Sequence, residues 1–189
     1  MTLALIRHGE TDWNRELRLQ GTSDIPLNDT GRQQARDAVA LLAGEQWDAI
    51  VSSPLSRARE TAQIIADGLG IELGPAYDLL VERAYGEAEG FTAEQIAERW
   101  PDRDYPGREP AERVVERGVQ ALARIADDYR DRNTIVVCHG TLIRLTLQHL
   151  AGQTFDHILN GSISTIVREE DDWRVVSVNG AELEVVQTP

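Results

Sequence analysis

Apolar and polar positions fall along this chain in blocks of two kinds. Short continuous apolar runs, Leu3-Ala4-Leu5-Ile6, Ala49-Ile50-Val51 and Ile135-Val136-Val137, each break into polar turn residues. Such runs read as strands buried on both faces of a parallel sheet. Between them, apolar residues recur at spacings of three and four: Ala35, Ala38, Val39 and Leu42, then Ala58, Ala62, Ile65, Ala66 and Leu69, then Val114, Val115, Gly118, Leu122, Ile125, Ala126 and Tyr129. That spacing predicts amphipathic helices. Strands alternating with helices predict an α/β fold: a three-layer α/β/α sandwich on a mostly parallel, doubly wound sheet, one domain over residues 1–189.

Boundary signals sharpen this. Thr30 and Gln33 form a capping box, as do Thr92 and Gln95, whose helix stops at Trp100 before Pro101. Gly44 follows the first long helix, and Ser56 is the expected N-cap of the second. Ile71-Glu72-Leu73 is the expected third strand, and Ser162 to Val167 with Trp173 to Val178 the arms of a hairpin around Glu169-Glu170-Asp171-Asp172. Residues 15–27 and 101–110, rich in Gly, Pro and charge, are expected to be loops flanking a site.

Composition adds limits. A chain of 189 residues with 41% hydrophobic content can bury a full core. No apolar run approaches the roughly 20 residues of a membrane span, and Arg7 and His8 arrive before a signal h-region could form. A single cysteine, Cys138, can make no internal disulfide, so the expected setting is a reducing cytoplasm. The net charge of −13 argues against nucleic acid. It does not exclude a small phosphorylated partner. Surface charge is screened within roughly 8 Å, whereas each cation touching a phosphate is worth on the order of 4 kcal/mol gross.

The candidate chemistry begins at Arg7-His8-Gly9, which the first strand delivers at its carboxyl end, where open α/β sheets bind ligands. A guanidinium fork matches phosphate oxygens, and an unprotonated ring nitrogen is a competent nucleophile. Alone, the tripeptide reads more readily as a loop histidine beside a surface arginine. The arrangement recurs, however, where Thr134 to Cys138 runs into His139-Gly140 before a helix. Arg57 falls in a first helical turn, a position that disfavours a cation unless it holds an anion, while Arg59 is assigned to the surface. Glu82, Glu87 and Glu89 are candidate acids between which composition does not choose. Cys138 is expected in the core, and His149 and His157 as structural or surface residues. No Walker, dinucleotide or zincin motif is present, nor zinc-site spacing, so neither metal nor cofactor is expected.

Together these segments resemble the histidine phosphatase superfamily, also called phosphoglycerate mutase-like. Its L-x-R-H-G-E-T-x-W-N signature is similar to residues 5–14, G-x-x-D-x-P-L to residues 21–27 and S-S-P-x-x-R-A-x-x-T-A to residues 52–62. L-x-E-x-x-x-G-x-x-E-G is similar to residues 80–90, and V-x-x-H-G to residues 136–140. The resemblance implies His8 as nucleophile, with Arg7, Arg57 and His139 on the phosphoryl oxygens and Glu82 as general acid and base. It implies substrate contacts from Arg7, Asn14, Arg18, Gln20, Gly21, Thr22, Arg57, Glu82, Tyr85 and His139, with backbone amides of Gly140 and Thr141 at a helix start. His8 must then be neutral, its tautomer set by a backbone carbonyl, with Gly9 the candidate.

The activity implied is hydrolysis of a small phosphomonoester, a sugar phosphate or phosphoglycerate derivative, through a covalent phosphohistidine. A cofactor-dependent phosphoglycerate mutase is the alternative, disfavoured by the short, acidic segment after Glu82, which holds Glu87, Glu89, Glu94 and Glu98 against Arg99, Arg103 and Arg108. A catalytically silent phospho-ligand-binding module is the alternative of another class. Relatives are commonly dimers, so a homodimer is a further expectation.

Overall fold

A computed structural model describes residues 1–170 and 172–183. Its strands are β1 (Thr2–Arg7), β2 (Ala49–Ser52), β3 (Leu73–Ala76), β4 (Thr134–Cys138), β5 (Ile163–Glu169), β6 (Asp172–Val178) and β7 (Ala181–Glu182). Its helices are α1 (Asp12–Arg15), α2 (Asp29–Leu42), α3 (Ser56–Leu69), α4 (Ala93–Arg99), α5 (Ala111–Asp128) and α6 (Gly140–Ala151). One sheet runs β3-β2-β4-β1-β5-β6-β7. The pairs among β3, β2, β4 and β1 are parallel, and β5 to β7 extend the sheet antiparallel from β1.

Alternation along the buried strands sorts side chains to two faces. Leu3, Leu5, Val51, Val136 and Cys138 pack with Leu122 and Ile125 of α5 and Leu142 and Leu147 of α6. Ala4, Ile6, Ile50, Ile135 and Val137 pack with Ala38 and Leu42 of α2 and Ala58, Ala62 and Ile65 of α3. Each fully buried Leu or Ile contributes about 1.5–3 kcal/mol, so two covered faces make the sheet the centre of stability. This is the expected three-layer sandwich, with Cys138 in its core and its thiol pushed up to about 12 by burial. Among the described residues no helix is long and apolar enough to cross a membrane.

Several local expectations are corrected by tertiary contacts. Asn28, not Thr30, caps α2 by accepting the Gly31 N–H, because Asn28 is itself docked on Glu10 through its backbone and side chain. Ser56 is the first residue of α3, not its cap, and Asp24 from the preceding loop accepts both its N–H and its hydroxyl. The third strand starts at Leu73 because α3 closes through Gly70 in the left-handed region and Ile71 still donates to Ala66. Arg59 is half-buried, tying α3 to the sheet through Ser52 and the Gly74 carbonyl. The Thr92 capping box stands as read, and so does the C-terminal hairpin except that its first arm runs on to Glu169 and its second begins at Asp172, which pair; Asp171 of the acidic turn lies outside the described residues.

Strand order positions the site. The chain leaves β1, places β2 one slot away, and later inserts β4 between them, opening a crevice at the carboxyl ends. The β1–β4 register pairs Arg7 with Cys138, so His8 and His139 emerge side by side. Ser53, at the end of β2, donates its N–H to the Val137 carbonyl, and His8 donates its own to Cys138.

Candidate active site

His8 is 3% exposed and His139 fully buried, their rings meeting edge to face with centroids 5.1 Å apart. Arg57 Nε lies 3.2 Å from His8 Nε2. A guanidinium only donates, so Nε2 is the acceptor and the ring proton sits on Nδ1, 2.7 Å from the Gly9 carbonyl. The tautomer expected from the sequence is therefore the one the geometry requires, and it turns the Nε2 lone pair toward Arg57.

The rest of the cluster closes around that nitrogen. Arg57, 0% exposed, sends its terminal nitrogens to the carbonyls of Gly21 and Ser23 at 2.7 and 2.8 Å. Arg7 donates Nη1 to the Ile158 carbonyl, while its Nε is buried without a partner among the described residues. His139 Nε2 meets Ser53 Oγ at 2.8 Å, and its Nδ1 likewise has no partner. Leaving such groups unsatisfied costs about 1–3 kcal/mol each. Two orphan polar nitrogens beside a neutral imidazole form a place prepared for an anion.

Burial sets the protonation states. Desolvation, then the charges of Arg57 and Arg7, hold the His8 pKa well below its ordinary value. Desolvation and the neighbouring His8, Arg57 and Arg7 do the same to His139. Arg57 is pushed down to about 10, chiefly by desolvation, and stays charged at neutral pH.

A stability prediction follows. Unfolded, both imidazoles titrate near 6.5, so below that pH the unfolded chain takes up protons that the folded chain refuses. Their contribution is whole above pH 6.5 and falls with acidification at about 1.4 kcal/mol per pH unit for each ring. Urea denaturation midpoints at pH 7.5 and 5.5 should fall accordingly, and His8→Gln/His139→Gln should flatten the dependence. An unchanged slope in that variant would place the titrating groups elsewhere.

Glu82 reaches the cluster from the segment before Arg83. Its carboxylate accepts N–H donors from Arg83, Thr141 and Leu142 at 2.8, 3.0 and 3.1 Å, seating it on the N-terminus of α6. Arg117 of α5, paired with Glu109, donates to the carbonyls of Leu79 and Val81 and so steadies the approach to Glu82. The Thr141 amide expected to face the substrate is thereby already occupied.

Arg7, His8, Asn14, Arg18, Gln20, Gly21, Arg57, Glu82, Tyr85 and Thr141 line one cavity of about 220 Å³, joined by Leu17, Leu19 and His157. Three expected residues depart from it. His139 packs its ring against His8 and is not among the lining residues. Thr22 is exposed and gives its N–H and hydroxyl to Glu89, and Gly140 lies against the Arg7 side chain, where an added Cβ would stand 3.2 Å from Nε. His157, read as structural or surface, sits at the cavity mouth, whereas His149 is exposed. Asn160, which supports the His8 carbonyl and Asn14, was not legible because no motif or periodicity marks it, and Thr61, which accepts the Gly9 N–H, stands in the 52–62 motif but was given no role.

A second cavity of about 220 Å³ shares Leu19 and Tyr85 with the first and carries Arg83, Arg103, Tyr105 and Arg108. Residues 101–110 contribute three of these, so that loop does flank the site. None of the three arginines forms an ion pair among the described residues, although Arg83 and Arg108 lie over the rings of Tyr85 and Tyr105.

A neutral nucleophilic imidazole, ringed by cations and orphan donors at the carboxyl end of a doubly wound sheet, defines a phosphoryl-transfer enzyme of the phosphohistidine type. The model of the histidine phosphatase superfamily (branch 1) matches residues 3–181, and this chain belongs to that superfamily. It is a phosphomonoesterase.

The uncharacterized phosphatase PhoE of Bacillus subtilis is 38% identical over 181 residues, covering 94% of this chain and 93% of that protein. Phosphoglycerate mutase-like protein 4 of Arabidopsis thaliana is 35% identical, covering 92% and 82%. A mycobacterial glucosyl-3-phosphoglycerate phosphatase solved with VO3 superposes at a TM-score of 0.85, with 28% identity over 95% of this chain and 99% of that one.

Proposed function

We propose that His8 attacks the phosphoryl group of a small phosphomonoester bearing a second anionic group, a phosphoglycerate derivative in preference to a neutral sugar phosphate. The observation that carries the His8 assignment is its Nε2 lone pair, left free by the Nδ1 bond to Gly9 and facing Arg57, in a cluster where Arg7 Nε and His139 Nδ1 are buried without partners among the described residues.

In the first displacement a bond forms from Nε2 to phosphorus and the ester P–O bond breaks. Arg57 Nε–H passes from the ring to a phosphoryl oxygen, and Arg7 and His139 take others. With the Ser53 hydroxyl as donor to His139 Nε2, the His139 proton falls on Nδ1, the nitrogen without a partner among the described residues, for a phosphoryl oxygen. Glu82 gives its proton to the departing alkoxide. In the second displacement Glu82 takes a proton from water, oxygen bonds to phosphorus, the P–N bond breaks and phosphate leaves. The imidazole, positive while phosphorylated, keeps its Nδ1–H on the Gly9 carbonyl throughout.

The preference for a second anionic group rests on the three unpaired arginines one side chain beyond Tyr85. It agrees with the name of the mycobacterial phosphatase. Phosphate release should be measured from 3-phosphoglycerate, phosphoserine and glycerol phosphate. The carboxylated esters should lead in kcat/KM by at least about tenfold, a lead lost in Arg103→Ala/Arg108→Ala, since a hydrogen bond to a charged group is worth about 1.5–3 kcal/mol. Equal rates across the panel would overturn the substrate assignment, and 2-phosphoglycerate as product would overturn hydrolysis in favour of a mutase.

A further inference from the structure

Arg57 is a fully buried guanidinium whose direct partners are His8 and two backbone carbonyls, with no carboxylate in contact among the described residues. What holds those carbonyls in place is on the other side of the same loop. Glu89 Oε1 accepts the Thr22 N–H at 3.0 Å, the Thr22 hydroxyl at 3.2 Å and the Tyr85 N–H at 3.0 Å. Its Oε2 accepts the Ser23 N–H at 2.8 Å and the Ser23 hydroxyl at 2.5 Å. Two carboxylate oxygens offer about four lone-pair sites, so this one is saturated.

The Gly21 carbonyl and the Thr22 N–H belong to one peptide unit. That unit is gripped at both ends, the N–H by a carboxylate and the C=O by a guanidinium 2.7 Å away. Hydrogen bonds in such a series polarise one another. The approach is too close for any side chain at position 21, where φ is +54° and an added Cβ would stand 2.1 Å from Glu89 Oε1. Burial alone would raise the Glu89 pKa, but the Ser23 hydroxyl and the amides of Thr22, Tyr85 and Ser23 outweigh that and hold it below the usual carboxylate range.

We propose that Glu89 is a positioning residue for catalysis: through the Gly21–Thr22 peptide it sets the orientation of Arg57 without touching it. A carboxylate in direct contact would neutralise the guanidinium. A peptide between them leaves Arg57 aimed at His8 Nε2 and available to the incoming phosphoryl group. The proposal rests on the phosphohistidine reading above.

The experiment is a double-mutant cycle on the full-length chain, with p-nitrophenyl phosphate as substrate and orthovanadate as inhibitor. Glu89→Gln keeps the shape but places an amide against N–H donors. It should lower kcat about 10²-fold, in the range for a lost oxyanion donor, and weaken vanadate about tenfold with little change in KM. In an Arg57→Ala background the same substitution should change kcat less than about threefold, because the residue it orients is gone.

If Glu89→Gln loses its near-ultraviolet circular dichroism, Glu89→Asp carries the cycle, with a loss of about tenfold expected in the Arg57 background and none without it. Equal losses in both backgrounds, or no loss in either, overturn the proposal. Failure of the parent reading looks different: activity that survives His8→Ala.

Discussion

His8→Ala should lose turnover by about 10⁶-fold, the order seen when a covalent nucleophile is removed and only binding and charge stabilisation remain. Alanine deletes the acceptor of the Arg57 Nε–H and the donor to the Gly9 carbonyl, so no atom is left to form the P–N bond. Orthovanadate should still bind, since Arg7, Arg57 and His139 are untouched. Rapid acid quench of wild type with a labelled phosphomonoester should trap the label on His8, and the variant should trap none. Turnover surviving in the variant would remove His8 from the mechanism.

The second large effect is at Glu82, and it should depend on the leaving group. Glu82→Gln retains a carbonyl oxygen for the amides of Arg83 and Leu142, sets its NH2 against the Thr141 amide, and supplies no proton. General acid catalysis contributes about 10²–10⁴-fold. An alkyl ester such as 3-phosphoglycerate should lose the upper end of that range. p-Nitrophenyl phosphate, whose phenolate departs unprotonated, should phosphorylate His8 nearly normally and then stall, because water lacks its base. A burst of one p-nitrophenol per active site followed by slow turnover is the expected signature. Equal loss of burst and steady state with both esters would assign Glu82 a positioning role only.

The main elements were legible from the chain because their signals are local. Thr134 to Cys138 is β-branched and apolar and is β4 to the residue. The 111–128 helix declares itself by its spacing. Caps were less legible where the partner came from elsewhere: the Thr92 box uses Gln95 three residues on and was readable, whereas α3 is capped by Asp24 from 32 residues away and was not. At the site, the reactive residues stand in motifs. Ser53, Thr61 and Glu89 stand in those same motifs, but what each one holds is set by a partner distant in the chain, and Asn160 lies outside them altogether.

The amino-acid sequence by itself determined which residues could do the chemistry: an imidazole at the end of each of two buried strands, an arginine beside one of them and another in a first helical turn. Those are consequences of burial pattern and chain direction, which operate over a few residues. Only the tertiary structure decided that β4 slides in beside β1 so that the two rings meet, and that the α6 amides go to Glu82. It alone decided that two carbonyls, backed by Glu89, hold Arg57. Each of these is a directional bond between groups tens of residues apart, and its partner is chosen by how the layers pack, which no local periodicity records.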